Sequence, residues 1–327
     1  MVHHGAMPAA FHPVLRTLFV LATLMLFQGA WAQGFAFVAL GDLPYGPPEK
    51  AGPPYRALIG AINREQPSFS IHVGDIKSGG SVCSDEEFKQ QLFHFSLFEA
   101  GVVYTPGDNE WTDCHRPSNG SYDPQERLQM LRRLFFAPGR SLGRHPIAVQ
   151  SQSERMPAHA AFVENLRWMH QGVVFITLHV VGSNNNLDPR RSRTLAEFTS
   201  RESANMAWLR DSFAWARAQG GKAVVVAMQA NPLGLINLLG DVGPETGFHA
   251  TIAQTLLPLV RDAGVPVLLI HGDTHTFRFD VPFRLQGQLL PGMQRLEVPG
   301  GHDVRAVRVD VDLSRPSPFS VRMIASD

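Results

Sequence analysis

Residues 35–42 read FAFVALGD, an apolar run that ends in a Gly-Asp pair. The same pattern recurs in FSIHVGD (69–75), VVYTPGD (102–108) and VPVLLIHGD (265–273). Chance predicts about 1.4 Gly-Asp pairs for this composition, and the sequence contains five. The carboxyl ends of strands in an open α/β sheet face one crevice. We therefore expect four aspartates to meet at such a crevice, where a divalent cation would offset their repulsion: Asp42, Asp75, Asp108 and Asp273.

The fifth pair, Gly240-Asp241, lies in the loop-like stretch NLLGDVGPE. No apolar run leads directly into it as a strand, so we interpret it as coincidental. The Gly- and Pro-rich stretch GPPEKAGPP (46–54) follows the first pair along the chain. Its composition is typical of a loop, and we expect it at the rim of the crevice.

Strand and helix patterns alternate outward from these runs. The order strand–helix–strand predicts a parallel sheet with right-handed crossovers, and short alternating runs after residue 276 predict a strand-rich tail. The expected fold class is α/β, with two packed mixed β-sheets flanked by helices. Predicted strands are 35–40, 69–73, 102–105, 161–167, 173–181, 223–228, 265–270, 277–283, 295–298, 306–312 and 319–324; predicted helices are 55–66, 85–100, 123–136, 202–218 and 250–263.

Composition limits the functional classes. The chain of 327 residues carries 29 basic and 29 acidic side chains, and no block of Lys or Arg stands out. Nothing therefore predicts a nucleic-acid partner. An apolar content of 44% is enough for a substantial core. Because no linker divides the sequence, we expect a single domain over residues 33–327.

The N-terminal segment predicts export. Arg16 precedes the apolar run LFVLATLMLF (18–27), and Ala30-Trp31-Ala32 follows. A positive residue, a short apolar run and a small-x-small end are typical of a secretory signal peptide, here residues 1–32 with Gln33 as the first mature residue. The alternative is a membrane anchor, for which the run is short. No other segment is apolar enough to span a membrane, so the expected location is secreted or periplasmic.

The two cysteines, Cys83 and Cys114, predict one disulfide. An exported chain with an even and minimal cysteine count favours pairing over two free thiols. Each cysteine follows one of the Gly-Asp pairs, in GDIKSGGSVC and GDNEWTDC. A bridge would therefore join two loops of the crevice.

Five blocks in this order resemble the calcineurin-like metallophosphoesterases. The family pattern is Asp-x-His, Gly-Asp, Gly-Asn-His-Asp/Glu, a later His, and Gly-His-x-His. The corresponding blocks here are Asp42-Leu43-Pro44, Gly74-Asp75, Gly107-Asp108-Asn109-Glu110, Gln229, and Gly272-Asp273-Thr274-His275. Pro44, Asn109, Gln229 and Asp273 thus stand where the family has histidine.

The resemblance implies roles for these residues. Asp75 would bridge two metals, with Asp42 and His275 on one metal, and Asp108, Gln229 and Asp273 on the other. In the third block, Asp108 aligns with the family's metal-binding Asn, although an alternative alignment makes Asn109 the ligand. Asn109 and Glu110 are the expected catalytic-loop residues. Lys77, two residues past Asp75, is a possible substitute for one metal's charge.

The resemblance also implies a cofactor and a reaction. One or two divalent ions are expected, and an oxygen-rich ligand set suits Mn²⁺, Mg²⁺, Ca²⁺ or Fe²⁺ better than Zn²⁺. The expected activity is hydrolysis of a phosphomonoester or phosphodiester in a small substrate by a metal-bound hydroxide. The alternative is a non-catalytic binding protein on the same fold. No Gly-x-Ser-x-Gly elbow, phosphate-binding Gly-rich loop or dinucleotide fingerprint competes with this interpretation.

Overall fold

Strands alternate with helices from Phe35 to Phe135, and short strands dominate after His271. The computed structural model describes residues 1–5, 34–233 and 242–326. The strands there are β1 (Phe35–Leu40), β2 (Phe69–His72), β3 (Gly101–Tyr104), β4 (Gln150–Ser151), β5 (Leu166–His170), β6 (Val173–Thr177), β7 (Ala223–Ala227), β8 (Val267–His271), β9 (Arg278–Asp280), β10 (Arg284–Leu285), β11 (Gln288–Leu289), β12 (Met293–Glu297), β13 (Arg305–Val311) and β14 (Phe319–Ala325). The helices are α1 (Pro48–Arg64), α2 (Asp85–Phe95), α3 (Pro124–Phe135), α4 (Gln152–Arg155), α5 (Gly182–Asn185), α6 (Ser192–Ala218) and α7 (Leu257–Ala263), with a π-helical segment, His249–Leu256, before α7.

The strands form two mixed sheets. The first has the order β14-β13-β1-β2-β3, in which β1, β2 and β3 are parallel. The second has the order β4-β5-β6-β7-β8-β12-β9, with β6, β7, β8 and β12 parallel. Leu40 pairs with His72, and His72 pairs with Tyr104. The three parallel strands of the first sheet therefore end level, and their following loops emerge together.

An apolar core lies between the two sheets. Side chains alternate along β1, so Phe37 and Ala39 face the second sheet, while Val38 and Leu40 face the helices. Phe37 packs edge-to-face on Phe175 of β6, with 5.2 Å between ring centroids. Helices α1, α2 and α3 cover the outer face of the first sheet, and α6, α7 and the π-helical segment cover the second. The predicted fold class, two mixed sheets flanked by helices, is confirmed.

Helix starts follow local chemistry. Helix α2 begins after Ser84, whose hydroxyl accepts a hydrogen bond from Glu87 N (3.1 Å), as its sequence predicts. Helix α1 begins at Pro48, and the prediction of a loop over residues 46–54 is wrong for most of that stretch. Proline is favoured at the first helical position because its missing N–H would have no helical partner there. Helix α6 begins at Ser192, ten residues before its predicted start at Glu202.

Several predicted strands are shorter than expected, among them the one predicted over 173–181, which ends at Thr177. Residues 161–165 are not a strand, and strand pairing in this region begins at Leu166, opposite Ser151. The side-chain amide of Asn165 donates to Gln152 (2.7 Å) and Asn205 (2.9 Å). In the predicted strand 277–283, only Arg278–Asp280 pairs. Pro282 has no N–H to donate to a ladder, which accounts for the early end.

Some predictions fall outside the described residues. The signal peptide and its cleavage after Ala32 fall largely within residues 6–33, and the Gly240-Asp241 pair lies within residues 234–241. Among the helices that are described, none combines the length and apolar character needed to cross a bilayer.

Candidate metal centre

Four loops bring the Gly-Asp pairs together where the two sheets meet. Asp42 N donates to Gly74 O (3.0 Å), and Asn109 N donates to Asp75 Oδ1 (3.2 Å), which joins the loops after β1, β2 and β3. Asp273 N donates to both carboxylate oxygens of Asp42 at 3.2 Å. This contact links the loop after β8 of the second sheet to the loop after β1 of the first. The convergence expected from the strand ends is therefore present.

Glycines make room for these carboxylates. A Cβ on Gly272 would lie 2.1 Å from Asp42 Oδ2, far inside van der Waals contact. A Cβ on Gly182, in α5, would lie 2.8 Å from both Asp108 Oδ1 and Asp273 Oδ1. Asp108 and Asp273 are therefore near neighbours across a space that admits no additional side chain.

The backbone at the crevice is strained. Asp42, Asp75, Asp273 and His275 all have positive φ, at 52°, 54°, 79° and 57°. Non-glycine residues rarely adopt this region, and such strain is concentrated at functional sites. These residues therefore hold conformations that the surrounding fold, and not local preference, imposes.

The electrostatics of the crevice favour a positive charge. Burial raises the pKa of Asp75, and the charge of Asp108 raises it further. Burial, with the charge of Asp108, raises the pKa of Asp273 to about 7. Burial also raises the pKa of Asp42, which His275 Nε2 approaches to 3.6 Å. The hydrogen bond with Asp42 raises the pKa of His275 in turn.

Tyr45 is a site residue that sequence reasoning missed. Its hydroxyl donates to Asp75 Oδ2 (2.8 Å) and accepts from Asn109 Nδ2 (2.7 Å), which also donates to Asp75 Oδ2 (2.7 Å). Its ring packs edge-to-face on His275, with 5.1 Å between ring centroids. Burial raises the pKa of Tyr45, so its hydroxyl remains a donor. The only sequence signal for it was its place three residues after Asp42.

Glu110 holds the loops after β2 and β3 together through hydrogen bonds. Its Oε1 accepts from Asp75 N (3.1 Å), Gly107 N (2.7 Å) and the Tyr104 hydroxyl (2.7 Å), and the side chain is fully buried. These partners are backbone amides and a core tyrosine, so Glu110 fixes the loops after β2 and β3 on one another. A catalytic role for Glu110 and Asn109 stays a prediction.

Lys77 and the disulfide both lie against the backbone carbonyl of Asn109. Lys77 Nζ donates to the carbonyls of Ser78 (2.9 Å) and Asn109 (2.7 Å). Burial lowers the pKa of Lys77, and the charges of Glu110 and Asp75 oppose that effect. Its role as a charge substitute stays a prediction. The predicted disulfide is confirmed: Cys83 and Cys114 are bonded, and their sulfurs lie 3.6 and 3.7 Å from Asn109 O.

The loop after β6 completes the crevice from the second sheet. Ser183 Oγ donates to Asp108 Oδ2 (2.6 Å) and approaches Asp113 Oδ1 (3.3 Å). Gln229 Oε1 accepts from Gly182 N (2.5 Å), and Gln229 Nε2 has no hydrogen-bond acceptor within the described part of the chain. The side-chain oxygen of the predicted ligand Gln229 therefore lies at the centre but already accepts a hydrogen bond from the backbone. Ser183 is a site residue that the sequence analysis does not predict.

Donor type and space at this crevice fit a divalent cation that prefers oxygen ligands. Four carboxylates line the glycine-walled space, and burial disfavours the ionised forms of Asp42, Asp75 and Asp273 unless a cation is present. Within residues 1–5, 34–233 and 242–326, no group of three or more His, Cys, Asp or Glu side chains is arranged so that it could hold a metal ion as it stands. An ion would therefore have to draw the carboxylates inward, and it would compete with Tyr45 and Asn109 for Asp75.

Solved structures share this architecture. No protein-family model and no curated protein sequence matches the chain. A dimetal phosphatase from Danio rerio superposes with a TM-score of 0.52 and 11% identity, over 90% of this chain and 99% of that one. The chain has the calcineurin-like metallophosphoesterase fold.

Two further structures align over a similar share of the chain. A purple acid phosphatase from yellow lupin (Lupinus luteus) seeds matches the metallophosphoesterase fold of this chain with a TM-score of 0.51 and 14% identity, over 90% of this chain and 54% of that one. GAP50, the anchor in the inner membrane complex of Plasmodium, aligns with a TM-score of 0.48 and 13% identity, over 90% and 89%. The superpositions of the dimetal phosphatase and the purple acid phosphatase confirm, for the fold, the resemblance seen in the motifs.

The raised carboxylate pKa values predict that the acidic cluster lowers the stability of the metal-free protein as the pH rises from 5 to 7.5. Between the ordinary pKa of 3.8 and about 7, folded Asp273 holds a proton that the unfolded chain releases, so stability falls as pH rises through this window. Burial likewise raises the pKa of Asp113 to about 6, and the raised pKa of His275 acts in the same direction. Buried histidines act in the opposite direction, because burial lowers the pKa values of His72 and His271 to about 3, so the unfolded chain takes up protons at these residues below about pH 6.5. We therefore expect Asp273→Asn to shift the change in thermal midpoint between pH 5 and pH 7.5 upward by about 3–5 °C relative to the wild type.

Calorimetry of EDTA-treated protein measures this difference. Asp273→Asn should show this upward shift, whereas Asp262→Asn, at an exposed aspartate on α7, should follow the wild type. The same change in midpoint in Asp273→Asn and in the wild type would contradict the expectation.

Proposed function

We propose that the protein is a metal-dependent phosphoesterase that acts on small phosphorylated substrates. The observation that carries this proposal is the convergence of four buried or largely buried aspartates in a glycine-walled space, in which the charge of Asp108 adds to the effect of burial and raises the pKa values of Asp75 and Asp273. Bound divalent ions would supply an activated water and neutralise phosphoryl oxygens. The fold shared with a dimetal phosphatase supports the assignment of the crevice as the active site.

The contacts suggest which residues would hold each of two ions. Asp108 and Asp273, on either side of Gly182, would hold one ion, and Asp42 with His275 would hold another. Asp75 lies beside both groups through its bonds to Asn109 and its loop's contact with Asp42, which suits a shared ligand. His275 is the more exposed of these groups and faces the rim, where it also orients Tyr45.

One observation favours a second candidate, a non-catalytic binding protein. Both oxygens of Asp75 already accept hydrogen bonds, from Tyr45 and from the backbone and side chain of Asn109. A carboxylate satisfied in this way has less to gain from an ion. The crevice would then recognise an anion or a partner without turnover.

Turnover with defined metals separates the two candidates. EDTA-treated protein should hydrolyse neither an aryl phosphomonoester nor an aryl phosphodiester, and Mn²⁺, Mg²⁺, Ca²⁺ or Fe²⁺ should restore activity better than Zn²⁺. Plasma mass spectrometry of the reloaded protein should count one or two ions per chain. Absence of both turnover and bound metal under every condition would favour the binding protein.

We also propose that the chain is exported, as the N-terminal pattern and the disulfide support. The mass of the mature protein tests this point. A mature chain that starts at Gln33 supports export, and a reduced, full-length chain in the cytoplasm would contradict it.

A further inference from the structure

A cavity of about 580 Å³ adjoins the metal centre. Three segments form its walls: the loop after β3 (111–116), the start of α3 (123–125), and the segment from the end of α5 into α6 (186–194). The volume falls within the range typical of small-molecule sites, about 300–1,000 Å³. Size and position therefore suit a part of the substrate that extends beyond the reacting group.

Ser183 connects the cavity to the aspartate cluster. It lines the cavity, and its hydroxyl donates to Asp108 Oδ2 at 2.6 Å. Asp113 also lines the cavity and lies 3.3 Å from the same hydroxyl. A ligand in the cavity would thus lie one side chain away from the carboxylates of the proposed metal centre.

The cavity wall is rich in arginine, in contrast to the acidic centre. Four arginines line it, and three aspartates hold them in place: Arg116 with Asp113 (2.6 Å), Arg190 and Arg191 with Asp188 (3.0 and 3.5 Å), and Arg193 with Asp123 (2.8 Å). Each guanidinium has five N–H donors, and a single carboxylate engages one or two of them. The wall therefore presents oriented donors and more guanidinium than carboxylate charge.

The amino termini of two long helices open at the same cavity. Pro124 and Gln125 of α3 line it, as do Arg193 and Thr194 of α6. Within the described residues, no side chain caps the first turn of α6, so its backbone N–H groups remain directed outward. Helix amino termini favour anions. In α3 the carboxylate of Asp123 already accepts from Gln125 N (2.9 Å), so it is α6 and the arginines that point to the same kind of ligand.

We infer that the cavity binds a second phosphate group of the substrate, so that the preferred substrates carry a phosphate on the leaving group beyond the phosphoester that is hydrolysed. Guanidinium groups bind phosphate through paired, charge-assisted hydrogen bonds. A neutral leaving group would use none of these donors. The expected substrate preference rests on the proposed phosphoesterase function. The binding of an anion in the cavity does not depend on that function.

A matched pair of arginine variants tests the inference. Arg193 and Arg315 each pair with an aspartate at 2.8 Å, and their side chains are 66% and 68% exposed, but only Arg193 lines this cavity. The substrates are phenyl phosphate and hydroquinone bisphosphate, which differ by one phosphate on the ring. The quantity compared is kcat/KM for the bisphosphate divided by kcat/KM for phenyl phosphate. Arg193→Ala should lower this ratio about tenfold, because one charge-assisted hydrogen bond is lost. Arg315→Ala should leave the ratio unchanged, and an equal ratio in all three proteins would overturn the inference.

Calorimetric titration with inorganic phosphate separates this inference from the proposed function. In EDTA-treated protein, phosphate should bind the wild type and the Arg315→Ala variant equally, and Arg193→Ala about tenfold more weakly. If no phosphoester is hydrolysed but this pattern is found, the anion site stands and the proposed enzyme fails. If Arg193→Ala binds phosphate as the wild type does, the anion site fails whatever the turnover.

Discussion

Asp75→Asn is expected to lower phosphoester hydrolysis by about 10³-fold, several kcal/mol of transition-state stabilisation, while the fold stays intact. The amide keeps the shape of Asp75 but removes the charge that a divalent ion would share. Two opposing effects act on stability. Relief of repulsion from Asp108 and Glu110 stabilises the folded state, and an amide N–H₂ that faces the donors of Tyr45 or Asn109 costs about 1–3 kcal/mol.

Because these effects oppose each other, we expect the metal-free midpoint to change by only a few degrees. The rise in midpoint on adding Mn²⁺ should be much smaller in Asp75→Asn than in the wild type. Asp262→Asn, at an exposed position on α7, serves as the matched control for the substitution itself. Asp75→Asn protein with more than a tenth of wild-type turnover would show that hydrolysis occurs at another site.

Removal of the disulfide is expected to cost about 3–4 kcal/mol of the free energy of unfolding. The bridge closes a loop of 31 residues, and chain entropy in the unfolded state gives this magnitude. Both cysteines are fully buried, so the Cys83→Ser, Cys114→Ser double variant also buries two hydroxyls among apolar groups. Urea denaturation measures the change.

The same double variant should also lose activity, because the sulfurs pack against the carbonyl of Asn109, whose side chain and amide hold Asp75. Reduction of the wild type with dithiothreitol should reproduce the loss of stability and leave the double variant unaffected. Equal unfolding free energies for oxidised and reduced wild type would contradict a stabilising bridge.

The sequence predicted the elements that end in Gly-Asp because both signals are local. An apolar run of strand length followed by a residue pair that breaks it needs no knowledge of the rest of the chain. Strand β1 and the starts of α2 and α3 were predicted within one residue for this reason. Parallel order and level strand ends then placed Asp42 and Asp75 at one edge.

Other site residues depend on contacts that no local pattern encodes. Ser183 reaches Asp108 across 75 residues of sequence, from a loop of the other sheet. Tyr45 bonds Asp75 only because the turn after Asp42 directs it back over the crevice. The early start of α6 at Ser192 was missed because its first ten residues carry few apolar side chains. These features follow from tertiary packing, which overrides local propensity.

The contact between Phe37 and Phe175 has a consequence for the chemistry at the strand ends. Asp42 and Asp75 belong to the first sheet, whereas Asp273 and Gln229 belong to the second, so the two halves of the centre have no rigid element in common. The thickness of the apolar layer between the sheets, to which Phe37 and Phe175 belong, therefore sets how far apart these halves lie. In this protein the packing of the hydrophobic interior thus determines the width of the proposed active site.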